Sequence, residues 1–277
     1  MDPLGENLEA NRKGHRYATS DEALEPTYRQ VRAWQAHLES TGSEWRSFLA
    51  AVSPSDRAVW GLFQGDFRST LAGARVLEFG AGRGPTSAAM ALLGADVLAV
   101  DLSETTEAIV ARLAEKFDLT GRLRGWSGDI RALPIDEGRY DYVVGLNVLH
   151  HLTLDLETEV IRIFTRMLKA EGRAVFVEPC ENSAFLKRLK ERIAPEDGTH
   201  PDRPNDSRHY RALGERHFDE VTVEPYGSLE RLAPIAPGGR GNGHLRARLL
   251  SLERALPRPI HERLAASQRI IFARPRR

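Results

Sequence analysis

From residue 75 to residue 179 the chain alternates short β-rich runs with stretches of helical spacing, and this alternation restricts the fold more than any other feature. The runs fall at 75–79, 96–100, 123–126, 140–146 and 173–178. Several are apolar almost throughout, as strands covered on both faces should be, which points to a parallel sheet built from strand–helix–strand units. Between them, 86–93, 104–117 and 156–168 read as covering helices. Ser103 and Asp155 are the expected N-caps of the second and third, and Gly172 the expected terminator of the last.

The first run leads straight into a glycine turn, Val76-Leu77-Glu78-Phe79-Gly80-Ala81-Gly82-Arg83-Gly84, followed by Pro85-Thr86-Ser87 and an Ala-rich helical stretch. Glycines there permit positive φ and close approach of a ligand to the backbone, and the helix behind them presents unpaired N–H groups. A nucleotide-type cofactor suits such a turn. The dinucleotide fingerprint asks for Gly-x-Gly-x-x-Gly, whereas here the glycines stand at 80, 82 and 84 and position 85 is Pro. Without the third, helix-packing glycine, an NAD-dependent oxidoreductase is disfavoured.

The pattern Glu78-x-Gly80-x-Gly82-x-Gly84 resembles motif I of the class I S-adenosylmethionine-dependent methyltransferases. Three further segments follow in the family's order. Asp101 ends the second run, where a carboxylate can accept from both ribose hydroxyls, a feature that dehydrogenases share. Gly128-Asp129-Ile130-Arg131-Ala132-Leu133-Pro134 resembles the family's Gly-Asp-x-x-x-Leu-Pro, and Tyr140-Asp141-Tyr142-Val143 is similar to its Phe-Asp-x-Val strand, here running on to Asn147-Val148-Leu149-His150-His151. The resemblance covers 75–179 well and the last two strands loosely, and none is recognised in the first 70 residues.

The resemblance implies an α/β, Rossmann-like fold: a seven-stranded, mostly parallel sheet with an antiparallel last strand, helices on both faces and added N-terminal helices. It implies S-adenosyl-L-methionine as cofactor, with Glu78, Gly80 and Gly82 near the methionine and sugar, Asp101 on the ribose, Asp129 and Ile130 at adenine and Asn147 near the sulfonium; Ala81, Gly84 and Leu102 complete the expected cofactor-binding set. Transfer from a sulfonium is an in-line displacement of an already activated methyl group, so alignment and exclusion of water are the main requirements. A base matters only where the acceptor has a proton to lose. His150 and His151, beyond the fourth run, are the candidate bases, with helix capping or packing beside the cofactor as their alternative roles. Glu178, His209 and Tyr210 are candidate acceptor contacts.

The chain is expected to divide into an N-terminal helical segment, 1–70, and a methyltransferase domain, 71–277, with an insertion at 227–267 before the last strand. In the first segment Tyr28, Val31, Trp34 and Leu38 share one helical face. Either the segment packs on the sheet edge, or it forms a lid in which Tyr17, Tyr28, Trp34 and Trp45 offer apolar rings with polar tips, Tyr17 and Tyr28 touching the acceptor. After residue 179 the expectations are a helix at 183–193, a Pro-rich loop at 194–207, a helix at 208–216, strands at 220–226 and 268–274, and between these a Gly-rich turn at 237–243 and an Arg-bearing helix at 245–256.

Formal net charge is zero, with 39 basic and 39 acidic residues, so no long-range field favours nucleic acid or an anionic membrane, and the expected partner is a small-molecule acceptor. Lys13, Lys116, Lys169, Lys187 and Lys190 are the only lysines, an arginine bias that hints at a GC-rich bacterium. The N-terminus lacks the apolar stretch of a signal peptide and no run is long enough to span a bilayer, so a soluble, cytoplasmic protein is expected. A single cysteine, Cys180, excludes an intrachain disulfide and a multi-thiolate zinc site. His200-Pro201-Asp202 with His209 matches no compact metal spacing, and no metal is expected. Asn147 is followed by Val-Leu-His rather than Pro-Pro-Tyr/Phe, which disfavours enzymes that methylate planar nucleobase or glutamine nitrogens. The reading is a methyltransferase acting at oxygen or nitrogen of a metabolite. RNA or protein methylation, and a non-catalytic protein retaining the cofactor site, are the alternatives.

Overall fold

A computed structural model describes residues 16–39, 57–63, 65–184, 205–229, 243–253 and 255–276. Trp45, the cluster at 200–202, nearly all of the helix expected at 183–193 and the Gly-rich turn at 237–243 lie outside them.

Among the described residues seven strands form one sheet: β1 (Arg75–Phe79), β2 (Asp96–Asp101), β3 (Leu123–Ser127), β4 (Tyr140–Leu146), β5 (Leu168–Pro179), β6 (Phe218–Tyr226) and β7 (Ser267–Pro275). Their order is β3-β2-β1-β4-β5-β7-β6. The pairs from β3 to β5 are parallel, while β7 runs antiparallel to both β5 and β6. The expected mostly parallel sheet with a reversed last strand is therefore present. Chain order changes direction between β1 and β4, and in open α/β sheets ligands bind in the crevice at that switch point.

Helices α1 (Asp21–Glu39), α2 (Arg57–Leu62), α3 (Pro85–Leu92) and α4 (Thr106–Lys116) cover one face. On the other lie α5 (Leu154–Met167) and α6 (Ser207–Glu215). Between β6 and β7 the chain forms α7 (Gly243–Glu253) and α8 (Arg258–Leu264). The first face buries Leu24, Tyr28, Val31 and Trp34 of α1 in the same cluster as Ala88, Ala89 and Met90 of α3 and Val76 of β1. The N-terminal helix is thus continuous with the core of the sheet. Its apolar stripe has the 3.6-residue period of a helix packed on one side only.

Among the boundaries that differ from expectation, three have a visible cause. Helix α4 begins after Thr105, because Ser103 is occupied in the preceding turn, its N–H donating to Asp101 and its hydroxyl meeting that of Thr105. Helix α5 is capped by Thr153, whose hydroxyl accepts from Leu156 N–H, rather than by Asp155, which lies in the first turn and there favours the positive end of the dipole. Gly172 does not end that helix. The chain turns extended at Leu168, which pairs at once with Tyr140, and Gly172 sits within β5 where a Cβ would lie 2.9 Å from the Lys169 carbonyl oxygen.

Candidate active site

The glycine turn leaves the C-terminal end of β1 at the switch point. Gly80, Gly82 and Gly84 all have positive φ, 75°, 55° and 74°. A Cβ on Gly80 would stand 2.4 Å from Cγ2 of Val148, so the turn after β1 and the turn after β4 meet through a contact that only glycine permits. Gly84 is the N-cap of α3, with Pro85 in the first turn, and a Cβ there would lie 2.9 Å from Val110 of α4. The helix-packing role that the dinucleotide pattern gives to a later glycine falls here to Gly84. Ala81 is buried under the turn, its N–H donating to the Val100 carbonyl at 3.1 Å.

Asp101, at the end of β2, accepts Gly82 N–H at 2.8 Å with one carboxylate oxygen and Ser103 N–H at 2.8 Å with the other. Each oxygen keeps a further acceptor position, enough for a pair of vicinal hydroxyls. Glu78 is wholly buried on β1 and accepts from the Ser87 hydroxyl. Burial pushes its carboxyl up to about 8, opposed by the Ser87 hydrogen bond and reinforced by Asp101, so at neutral pH it is protonated and adds no charge beside Asp101.

A cavity of about 250 Å³ opens at this end of the sheet. Gly80, Gly82, Asp101 and Leu102 line one side, Asn147, Val148 and His151 another, and Gly128 and Tyr17 close it. Phe79, Val100, Leu146 and Leu152 supply the apolar wall; sequence reading missed them as site residues, although the places of the first three at strand ends were a usable signal. Asn147 has φ 52°, a left-handed conformation that Asn tolerates, and its N–H donates to Val177 at 2.8 Å. This kink turns the chain off β4 and across the cavity.

The turn that follows is organised by Glu178. Its carboxylate, completely buried at the end of β5, accepts Val148 N–H and Leu149 N–H at 2.9 Å each, His150 N–H at 3.3 Å, and His150 Nδ1 at 2.6 Å. Glu178 therefore holds the turn and does not stand free as the expected acceptor contact. As a carboxylate it can only accept, so His150 carries its proton on Nδ1. The His150 ring packs at 4.3 Å from that of His151, and it is His151 that lines the cavity.

Other expected site residues stand elsewhere. Tyr28 is in the core, its ring edge-on to Phe117 and its hydroxyl on Asp21 at 3.2 Å, because the α1 stripe that carries it is the buried one. Trp34 is buried in the same cluster, which leaves Tyr17 as the described aromatic residue of the expected lid at the cavity. His209 meets the buried Glu157 at 2.8 Å, and Tyr210 is fully buried with its hydroxyl on Asn205 at 3.3 Å. These two tie α6 to its surroundings and do not line the cavity. The Ile130 side chain packs in the core and the Asp129 carboxylate is turned onto Arg131, Nη2 at 2.6 Å; it is Gly128 of this segment that lines the cavity. Burial works to raise the Asp129 carboxyl, but the hydrogen bonds and charge of Arg131 outweigh it and the net shift is downward. Burial pushes the Cys180 thiol up to about 11, in keeping with a packing role.

Residues 76–172 match the family model described as a methyltransferase domain. That part of the chain is a methyltransferase domain. The methyltransferase segment is 32% identical over 117 residues to a ubiquinone biosynthesis O-methyltransferase of Bordetella avium, covering 40% of this chain and 45% of that protein. A protein of the same name from Pseudomonas putida is 33% identical over 111 residues, 40% of this chain and 47% of its own length. The match thus spans less than half the length of these curated relatives. Among solved structures, geranyl diphosphate C-methyltransferase from Streptomyces coelicolor, in complex with Mg2+, geranyl diphosphate and S-adenosyl-L-homocysteine, superposes with a TM-score of 0.55 at 15% identity, over 86% of this chain and 87% of that one. A SAM-dependent methyltransferase from Archaeoglobus fulgidus gives 0.51 at 20% identity, over 84% and 95%. At such identities the likeness is one of fold. Among the described residues no helix is long and apolar enough to cross a membrane.

Proposed function

We propose that the chain transfers a methyl group from S-adenosylmethionine to a hydroxyl or amine of a small metabolite, with His151 as the base. The observation that carries the reading is one cavity at the sheet's switch point in which the glycine turn, Asp101 and His151 converge. Bound S-adenosylmethionine supplies a methyl group on positively charged sulfur, ready for displacement. The cavity wall that Gly80 and Gly82 line, and the acceptor positions left on Asp101, fit its sugar and amino-acid parts.

The chain's own task is then alignment and proton removal. The apolar residues Phe79, Leu146 and Leu152 keep water from the reacting centre. His151 stands on the cavity wall to take a proton from the acceptor, held by the turn that Glu178 anchors through three backbone N–H groups. The named O-methyltransferase relatives favour a hydroxyl acceptor over an amine. No net charge draws a polyanion toward the site, which disfavours RNA as acceptor.

Radiolabelled methyl transfer to a panel of phenols, aliphatic alcohols and amines tests this reading. A hydroxyl compound should be labelled, and His151→Ala should lower the rate by about a hundredfold, within the usual range for a general base, without loss of S-adenosylhomocysteine binding. Gly82→Leu should abolish that binding, since a φ of 55° strains any side chain there, a Cβ would press on the Tyr17 hydroxyl at 3.3 Å, and the leucine would stand on the cavity wall. Donor binding with no acceptor labelled in a broad panel would favour a non-catalytic role.

A further inference from the structure

We infer that Tyr17 serves the methyl donor and not the acceptor: its hydroxyl, with Arg83 beside it, receives the carboxylate of the donor's amino-acid part. This assignment rests on the donor reading of the cavity proposed above. Tyr17 lies against the glycine turn itself, its hydroxyl oxygen 3.3 Å from where a Cβ on Gly82 would stand. The guanidinium carbon of Arg83, from the same turn, lies 5.3 Å from the centre of the Tyr17 ring, in cation–π range.

The segment that carries Tyr17 is fixed to the two loops of the donor end. Tyr17 N–H donates to the Thr105 hydroxyl at 3.3 Å, and Arg16 pairs with Glu104 at 3.1 Å, both in the loop after Asp101. Arg112 of α4 pairs in turn with Asp21 at the start of α1, at 2.9 Å. Tyr17 is thereby held over the loops after β1 and β2, where the resemblance puts the sugar and methionine.

The chemistry selects the group it meets. Burial, and the negative charge of Asp101, raise the Tyr17 phenol above its ordinary value against the opposing pull of Arg83, so it remains a hydrogen-bond donor at neutral pH. An O–H donor beside a guanidinium suits an anion, and the donor's one anionic group is its amino-acid carboxylate. The negative charge that would repel such a group is contained: Asp101 is engaged by two backbone N–H groups, and Glu78, at about 8, is neutral.

Calorimetric titration of the full chain with S-adenosylhomocysteine and with 5′-methylthioadenosine, which lacks the amino-acid part, tests the assignment. Tyr17→Phe keeps the ring on Arg83 and should leave the melting temperature of the ligand-free protein unchanged. The substitution should weaken S-adenosylhomocysteine by about tenfold, the loss expected for one hydrogen bond to a charged group, and leave methylthioadenosine within about twofold. Equal weakening of both compounds would put Tyr17 on the nucleoside, and no weakening of either would return it to the acceptor side; each result overturns the assignment. Failure of the unaltered protein to bind either compound would instead remove the donor reading, and this assignment with it.

Discussion

At the residue scale, two buried carboxyls with opposite duties define the site. Glu78 is kept neutral by burial, about 8 in the folded protein against 4.5 for the free side chain. The folded protein therefore binds more protons than the unfolded chain between those values, and stability falls as pH rises from about 4.5 through about 8 before levelling off. Glu78→Gln should flatten that slope in melting temperatures recorded across the window; an unchanged slope would mean that Glu78 is not its source. Glu178, by contrast, is an acceptor for four N–H groups. Glu178→Gln places an amide nitrogen against the His150 side and should shift the His150 proton from Nδ1 to Nε2 in 15N NMR spectra, whereas retention of the Nδ1–H form would show that the carboxylate does not set it. Sequence marked the first of these residues as a cofactor contact by its place before the glycine turn, but not its burial against Ser87, and it is not among the residues that line the cavity. The duty of Glu178 was not legible, because it exists only where the turn after β4 folds across the end of β5.

At the scale of elements, the strands could be read closely because each is a short apolar run between turns, and β1 and β4 have the expected bounds. The misread points were at the ends of elements, the start of β5 at Leu168 rather than residue 173 among them. Ser103 has the chemistry of an N-cap but is used to hold Asp101, and Gly172 has that of a terminator but lies where β5 passes close to its own preceding turn. Such competition between local uses of one residue type is settled by tertiary contacts. The contact between the turns after β1 and β4 gives a stability prediction. Gly80→Ala combines a φ of 75° with a 2.4 Å approach to Val148 and should cost about 1–3 kcal/mol in denaturant unfolding. Helix α1 gives another: Trp34→Ala should cost about 3–5 kcal/mol because the ring is in the main core cluster. A loss below about 1 kcal/mol would make α1 a dispensable cover rather than part of the fold.

On the scale of the whole molecule, the sheet order brings the ends of β1, β2 and β4 together and so gathers residues as distant in sequence as Tyr17, Asp101 and His151 around one cavity. That convergence explains why donor residues could be recognised from short motifs while acceptor residues could not. In the proposed reading the donor is held by turns whose geometry demands particular residues, glycine above all. The acceptor would then face side chains such as Leu152 and His151, whose types are set by a partner that no backbone rule specifies. The central claim, that this cavity is a site for S-adenosylmethionine, is tested most directly by calorimetric titration of the full chain with S-adenosylhomocysteine. The account predicts one site per chain with a dissociation constant on the order of micromolar, equivalent to about 8 kcal/mol. A folded protein that gives no saturable heat at millimolar ligand would contradict it.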